Sequence, residues 1–272
     1  MNEINYPMRG RSVRRKIVQI AATAGRAHMA SAFSIIEIVL VLYDKIMKYD
    51  AQNPSWDARD RFILSKGHGC LGLYPVLAEK GFFPEEELFK FCSSKGILGG
   101  HPEHLRVPGI EASTGALGHG LSLGMGMALR AKMDQLDYKT FVLVGDGECN
   151  EGSVWEAALG AAKHRLDNLI VLVDYNKHQS YGPVKEICNL EPFVDKWKSF
   201  GWEVREVDMD QPHQLETLLS SEVNYDGKKP IAIICHTIKG KGISFCENNL
   251  EWHHKSKLTP EEIKALYQAL EE

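Results

Sequence analysis

The sequence predicts an α/β fold: a doubly wound, mostly parallel sheet with helices on both faces, in a single domain over residues 1–272. Two observations carry that reading. Thr140-Phe-Val-Leu-Val-Gly145 and Leu169-Ile-Val-Leu-Val173 are short apolar, β-branched runs, as expected of strands buried on both faces. Between them, Val154, Ala157, Ala158, Ala161 and Ala162 fall on one face of a helix beginning near Glu151, which makes the segment a βαβ unit.

The remaining elements follow in order along the chain. A helix around Val13–Ala24 precedes a second, more apolar one over about Ile35–Met47, and Asp50–Arg59 is a polar connection. Arg61-Phe-Ile-Leu64 is a short strand candidate, followed by helices near Leu71–Glu79 and Pro84–Cys92. Gly96–Thr114, rich in Gly, Pro and His, reads as a long irregular loop of the kind that often carries function. A Gly- and Ala-rich helix near Gly118–Met133 leads into the βαβ unit, where glutamates in the first turn would suit the helix dipole. Beyond it come strands at Glu203–Val207 and Pro230–Thr237, a helix at His213–Ser220 between them, and a capped helix after Thr259-Pro260.

The βαβ unit places chemistry at one rim. Asp146 follows the first strand and Asn176 the second, and in an open parallel sheet both strand ends face the side where ligands bind. A carboxylate and an amide oxygen suit a hard cation such as Mg²⁺, which keeps open positions for phosphate oxygens and water. Gly147 allows close backbone approach to a diphosphate, and the helix start after it adds amide donors. Gly-Asp-Gly alone is also an ordinary turn sequence. The downstream Asn176 favours the cation reading.

Composition excludes several classes. Hydrophobic residues make up 44% and charged residues 25% of the chain, as in ordinary globular proteins. The net charge of −4 argues against a broad nucleic-acid surface. No run is long enough for a membrane span, and the start lacks a signal-peptide core, so a cytoplasmic protein is expected. The six cysteines are scattered without Cys-x-x-Cys or close His spacing, which argues against zinc and disulfides.

Several motifs together resemble the amino-terminal, thiamine diphosphate-binding part of transketolases. They are Asp60-Arg-Phe-Ile-Leu-Ser-Lys-Gly-His68, Gly100-His-Pro-Glu103, Ser113-Thr-Gly-Ala-Leu-Gly-His-Gly120, the stretch Gly145–Glu156, Asp174-Tyr-Asn176, Lys239-Gly-Lys-Gly242 and Trp252-His253. They keep the family's order over nearly the whole chain. The resemblance implies the diphosphate-binding fold of these enzymes, with thiamine diphosphate and Mg²⁺ (or Ca²⁺ or Mn²⁺) as cofactors. It implies Asp146, Asn176 and the backbone carbonyl of His178 as metal ligands, with Gly147 and Lys239 at the diphosphate. His68 and His253 would lie near diphosphate and substrate, and His28 and His101 would face the reacting carbons and hydroxyls. Gly115 and Leu117 would pack on the cofactor rings, and Glu151 would lie between paired subunits, linking two sites. Lys66 is a further phosphate-side candidate. Around His28 the run Arg26-Ala-His28-Met-Ala-Ser31 has methyl groups where the family usually carries glycine.

The resemblance also implies an activity: transfer of a two-carbon ketol unit from a ketose, in phosphate form, to an aldose. The family's pyrimidine-binding and carboxyl-terminal domains, one of which carries the cofactor-activating glutamate, are expected on a separate partner chain. An α2β2 assembly, active only when complete, then follows, with sugars or sugar phosphates as substrates and neither nucleic acid nor membrane as partner. Two other readings stand beside it: the thiamine-binding subunit of a 2-oxo acid dehydrogenase, which can share the Gly-Asp-Gly and downstream Asn arrangement, and a non-catalytic, cofactor-binding regulatory subunit, which the altered surroundings of His28 motivate.

Overall fold

The computed structural model describes residues 4–25, 28–220, 228–252, 255 and 257–271. Five strands, β1 (Arg61–Leu64), β2 (Thr140–Gly145), β3 (Leu169–Tyr175), β4 (Glu203–Asp208) and β5 (Ile231–His236), form a sheet in the order β1-β2-β3-β5-β4. All four pairings are parallel. After β3 the chain passes to the edge as β4 and returns as β5, which seats β5 beside β3.

Side-chain alternation along the strands divides the interior into two cores. Phe141, Leu143, Ile170, Leu172, Ile231 and Ile233 face one side, where α1 (Tyr6–Ala24), α2 (Met29–Phe33), α3 (Ile36–Val41), α4 (Tyr74–Glu79), α9 (His213–Ser220) and α10 (Pro260–Ala269) contribute apolar residues. Val142, Val144, Val171, Val173, Ala232 and Ile234 face the other, covered by α5 (Gly120–Met133), α6 (Gly152–Lys163) and α8 (Phe193–Ser199). Helices on both faces match the doubly wound expectation.

Helix ends deviate from the sequence reading where local chemistry outweighs periodicity. The first helix starts at Tyr6, well before Val13, because Asn5 Oδ1 accepts a hydrogen bond from Met8 N at 3.0 Å and Pro7 presets the first turn. The helix expected over Ile35–Met47 is in two parts: α3, which Ile35 caps, and a π-helical turn at Leu42–Ile46. Ile35 through Leu42 are buried all round apart from slight exposure of Glu37, so no polar face marks its ends. Pro84–Cys92 forms only a 3₁₀ turn, Glu85–Lys90. The short helices α7 (Val184–Ile187) and α8 carry too few apolar positions to show a period. The terminal helix has the expected capping box between Thr259 and Glu262.

The turn after β2 also differs. Gly147–Asn150 form a 3₁₀ turn, α6 begins only at Gly152, and its first turn holds no acidic residue. Glu151 is the N-cap without a side-chain bond, and Glu148 folds back onto the strand end instead of serving the helix dipole.

Close packing of α5 on the sheet depends on Gly124. A Cβ there would lie 2.3 Å from Val142 Cγ2. We predict that Gly124→Ala lowers unfolding stability by about 1–3 kcal/mol through overpacking, measured as an earlier midpoint in urea; an unchanged midpoint would refute it.

Candidate functional site

Four strand ends converge on one rim. β1 leads to Ser65 and Lys66, β2 to Asp146, β3 to Asp174 and Asn176, and β5 to Thr237 and Lys239. The register explains the convergence, since Gly145 pairs with Asp174 and Asp174 with Cys235.

Asp174, fully buried at the end of β3, is the hub of this rim. Its Oδ2 accepts from Ser34 Oγ at 2.7 Å, from Asn176 Nδ2 at 2.9 Å and from the Lys66 ammonium, while Oδ1 accepts from Thr237 Oγ1. Burial alone would raise its carboxyl, but Lys66, then Thr237 and Ser34, hold it below the usual carboxylate range. Because a carboxylate only accepts, it fixes the amide of Asn176 with Nδ2 inward and Oδ1 toward the rim. His178 N donates to that Oδ1 at 3.0 Å.

Asp146 sits one residue past β2 and is 1% exposed. Its Oδ1 accepts from Gly147 N at 2.7 Å and its Oδ2 from Lys177 N at 2.5 Å, so the carboxylate ties the two loops together. Burial, and then the neighbouring Asp174, push it up to about 7 against those two amide bonds. A divalent cation beside it would favour the ionised form. Across the site Lys239, 3% exposed, donates to the carbonyl oxygen of His178 at 3.3 Å. Burial, and then Lys66, lower its ammonium to about 7, against the carboxylates of Asp174 and Asp146. Phosphate oxygens nearby would restore its charge.

The oxygen set fits a hard cation: one carboxylate, one amide oxygen and one backbone carbonyl, without a soft ligand. Among the described residues no group of three or more His, Cys, Asp and Glu side chains could hold a metal ion. Gly147 has a packing role besides close approach to a ligand, because a Cβ there would lie 2.8 Å from Gln179 Cβ.

Two adjoining cavities follow from this arrangement. The first, of about 80 Å³, is lined by Lys66, Asp146, Gly147, Asn176, His178 and Lys239 among others. The second, of about 240 Å³, is lined by His28, His68, His101, Gly115, Leu117 and Ser180 with Gly67 and Thr114. His68, Leu117 and Ser180 line both, so the rim around Asp146 opens into a histidine-walled chamber. The rings of His28 and His68 meet edge to face at 6.1 Å, and the nearest atom to a Cβ built on Gly115 is His101 Cγ at 4.0 Å.

The structure therefore brings together His28, His68, His101, Gly115, Leu117, Asp146, Gly147, Asn176, His178 and Lys239. His253 lies outside the described residues. Glu151 is exposed in this single chain and is not among the residues lining these two cavities. Asp174, Glu148, Ser34 and Thr237 are buried or half-buried supports that the sequence reading did not single out; Asp174 stood inside the Asp174-Tyr-Asn176 motif as a signal. Cys149, beside the cation loop, is fully buried, and burial pushes its thiol well above its ordinary range, so it is no nucleophile.

A family model described as transketolase, thiamine diphosphate binding domain, matches residues 10–271. The chain belongs to the transketolase family. It is 44% identical over 241 residues to one of the subunits of apulose-4-phosphate transketolase of Phocaeicola vulgatus, covering 89% of this chain and 85% of that one. It is 41% identical over 269 residues to the 6-deoxy-6-sulfo-D-fructose transketolase subunit SqwG of Clostridium sp., covering 99% and 97%. The solved transketolase of Pichia stipitis in complex with sedoheptulose-7-phosphate superposes with a TM-score of 0.90 at 30% identity, over 98% of this chain and 40% of that one. The chain is thus a transketolase-type transferase carrying the family's thiamine diphosphate-binding domain, and ketol transfer is favoured over the two other readings. Among the described residues no helix is long and apolar enough to cross a membrane.

The buried Lys66–Asp174 pair yields a prediction independent of any ligand. Lys66→Met leaves the carboxylate of Asp174 without its countercharge and is expected to cost about 3–5 kcal/mol of stability. Urea unfolding of the purified chain measures it, and a loss under about 1 kcal/mol would mean that the pair behaves as an exposed one.

Proposed function

We propose that this transketolase-family chain is the amino-terminal subunit of a two-chain enzyme that moves a ketol unit from an anionic ketose to an aldose. The observation that carries the proposal is the continuity of the Asp146, Asn176 and His178 oxygens, with Lys239 opposite, into the chamber walled by His28, His68 and His101. In this reading Asp146, Asn176 Oδ1 and the His178 carbonyl hold Mg²⁺, or Ca²⁺ or Mn²⁺ in its place, and the cation and Lys239 hold the diphosphate. Gly147 leaves its backbone open toward the same group, and Gly115 and Leu117 form the wall beside the rings.

Thiamine diphosphate supplies the electron sink that carbon–carbon cleavage in a ketose requires. The chain's own part is position and proton traffic. Imidazoles titrate near neutral pH, so His28, His68, His101 and His253 are assigned to orient substrate hydroxyls and to take and return their protons. The printed names of the two relatives specify sugars bearing a phosphate or a sulfo group, and a ketose of that charge class is assigned here as donor.

The same names describe subunits, and the relative from Clostridium shares nearly its whole length with this chain. That supports a carboxyl-terminal partner subunit carrying the pyrimidine-binding domain, in an α2β2 assembly. Exposed Glu151 would then be covered by a neighbouring subunit. The cytoplasm is the proposed compartment.

Two measurements test this reading. Loss of an outer-shell partner of a metal ligand typically costs 10–100-fold in affinity, so Asp146→Ala, which removes a ligand outright, should weaken Mg²⁺-dependent thiamine diphosphate binding by more than about 100-fold. Titration calorimetry on the full chain reads the effect, and unchanged affinity would remove Asp146 from the site. In a coupled assay with ketose phosphate and aldose, the chain alone is expected to be inactive and its partner to restore turnover. Robust transfer by the single chain would overturn the two-chain proposal.

A further inference from the structure

Glu148 follows Gly147 inside the loop that leads from Asp146, and the residue is 3% exposed. It receives hydrogen bonds from three separate stretches of chain. Oε2 accepts from Gly145 N at 3.0 Å, and Oε1 accepts from Gly118 N at 2.9 Å and from the Ser65 hydroxyl. The strand end before the cation loop, the end of β1 and the loop bearing Gly115 and Leu117 are therefore held on one side chain.

Gly118 is bound at its other polar group too. Its carbonyl accepts from Ser153 Oγ at 2.9 Å, and Ser153 belongs to the first turn of α6. Its φ is +83°, and a Cβ would lie 2.6 Å from Glu151 Cβ, so glycine is needed both for the backbone angle and for the approach. Both backbone polar atoms of Gly118 are thus fastened to the segment that follows Asp146. Leu117, its neighbour, lines both cavities.

We propose that Glu148 is a positioning residue that ties the Gly115–Gly118 wall to the cation loop and so sets the span between the diphosphate end and the ring-facing end of the site. This rests on the reading of the site given under Proposed function. None of the three hydrogen bonds to its carboxylate comes from a cation ligand or from a chamber histidine. Its effect is on the distance between two parts of the site that separate loops provide.

The variant that tests it is Glu148→Gln, nearly equal in volume. Both oxygens of Glu148 accept a backbone N–H, so whichever way the amide turns, its NH₂ faces a donor and one end of the tie opens. Binding of two probes to the full 272-residue chain in the presence of Mg²⁺ is compared: inorganic diphosphate, which needs only the cation rim, and thiamine diphosphate, which also needs the wall. Diphosphate affinity is expected to stay within about twofold, and thiamine diphosphate affinity to fall about tenfold, the factor for one unmet buried donor. Amide exchange at Gly118 or Gly145 should accelerate in the same variant. Ser153→Ala, which frees the Gly118 carbonyl and leaves Glu148 in place, should shift the preference in the same direction by less.

Equal loss of both probes would assign Glu148 a general structural role and overturn the proposal. So would undiminished preference for thiamine diphosphate in both variants, or a parent chain that binds the two probes equally. A parent chain that binds neither probe overturns the tie, which requires both ends of the site to be formed within this chain.

Discussion

The rim of this sheet depends on how one buried negative charge is satisfied. An ionised carboxylate removed from water is costly unless it is paired and hydrogen-bonded. Asp174 meets that requirement by drawing Lys66 from the end of β1, Ser34 from the turn between α2 and α3, Thr237 from the end of β5 and Asn176 from just past its own strand. Each partner is thereby placed. The same carboxylate decides which atom of Asn176 points outward, and it holds a lysine at the wall of the cavity beside Asp146. Its charge also raises the carboxyl of Asp146, after burial the larger cause. The placement of the rim oxygens is therefore a consequence of the hub beneath them.

Strand positions were legible because buried parallel strands are short, apolar and β-branched, and β2 and β3 could be read almost to the residue. The paired positions of Asp146 and Asn176 followed from those strand ends alone. Helix boundaries were less legible for two opposite reasons. Around Ile35–Leu42 the chain is buried on every side, so no polar stripe marks a face. In α7 and α8 only a turn or two exists, which is less than a period needs. The supporting residues were illegible for a third reason: Ser34, Ser65, Glu148 and Thr237 are ordinary polar residues in sequence, and their roles arise from contacts across 63 to 140 positions in the cases of Thr237, Ser65 and Ser34.

Glycine makes this crowded rim possible in a few places. Gly67 runs so close to the histidine-chamber loop that a Cβ would meet Thr114 O at 2.3 Å. Gly240, with φ of +81°, turns the chain directly after Lys239, and its own N–H bonds to Ala30 O at 3.1 Å. Lys239 is therefore carried on a turn fastened to α2, the helix that His28 caps. Lys239 and a chamber histidine thus share a mount, although 211 positions separate them.

Electrostatic balance then favours a cation and a polyanion together over either one alone. The buried groups Asp146, Asp174, Lys66 and Lys239 are two acids and two bases, and burial opposes the charged form of each. Asp174 and Lys66 satisfy one another. Asp146 and Lys239 are left with backbone partners and with ionisations pushed toward neutrality from opposite sides, each to about 7. A cation alone would draw Asp146 into its charged form but repel Lys239; a diphosphate alone would stabilise Lys239 but repel Asp146. Only the two together would supply each residue with its opposite charge, so on electrostatic grounds a cation paired with a polyanion would suit this rim better than a bare ion of either sign.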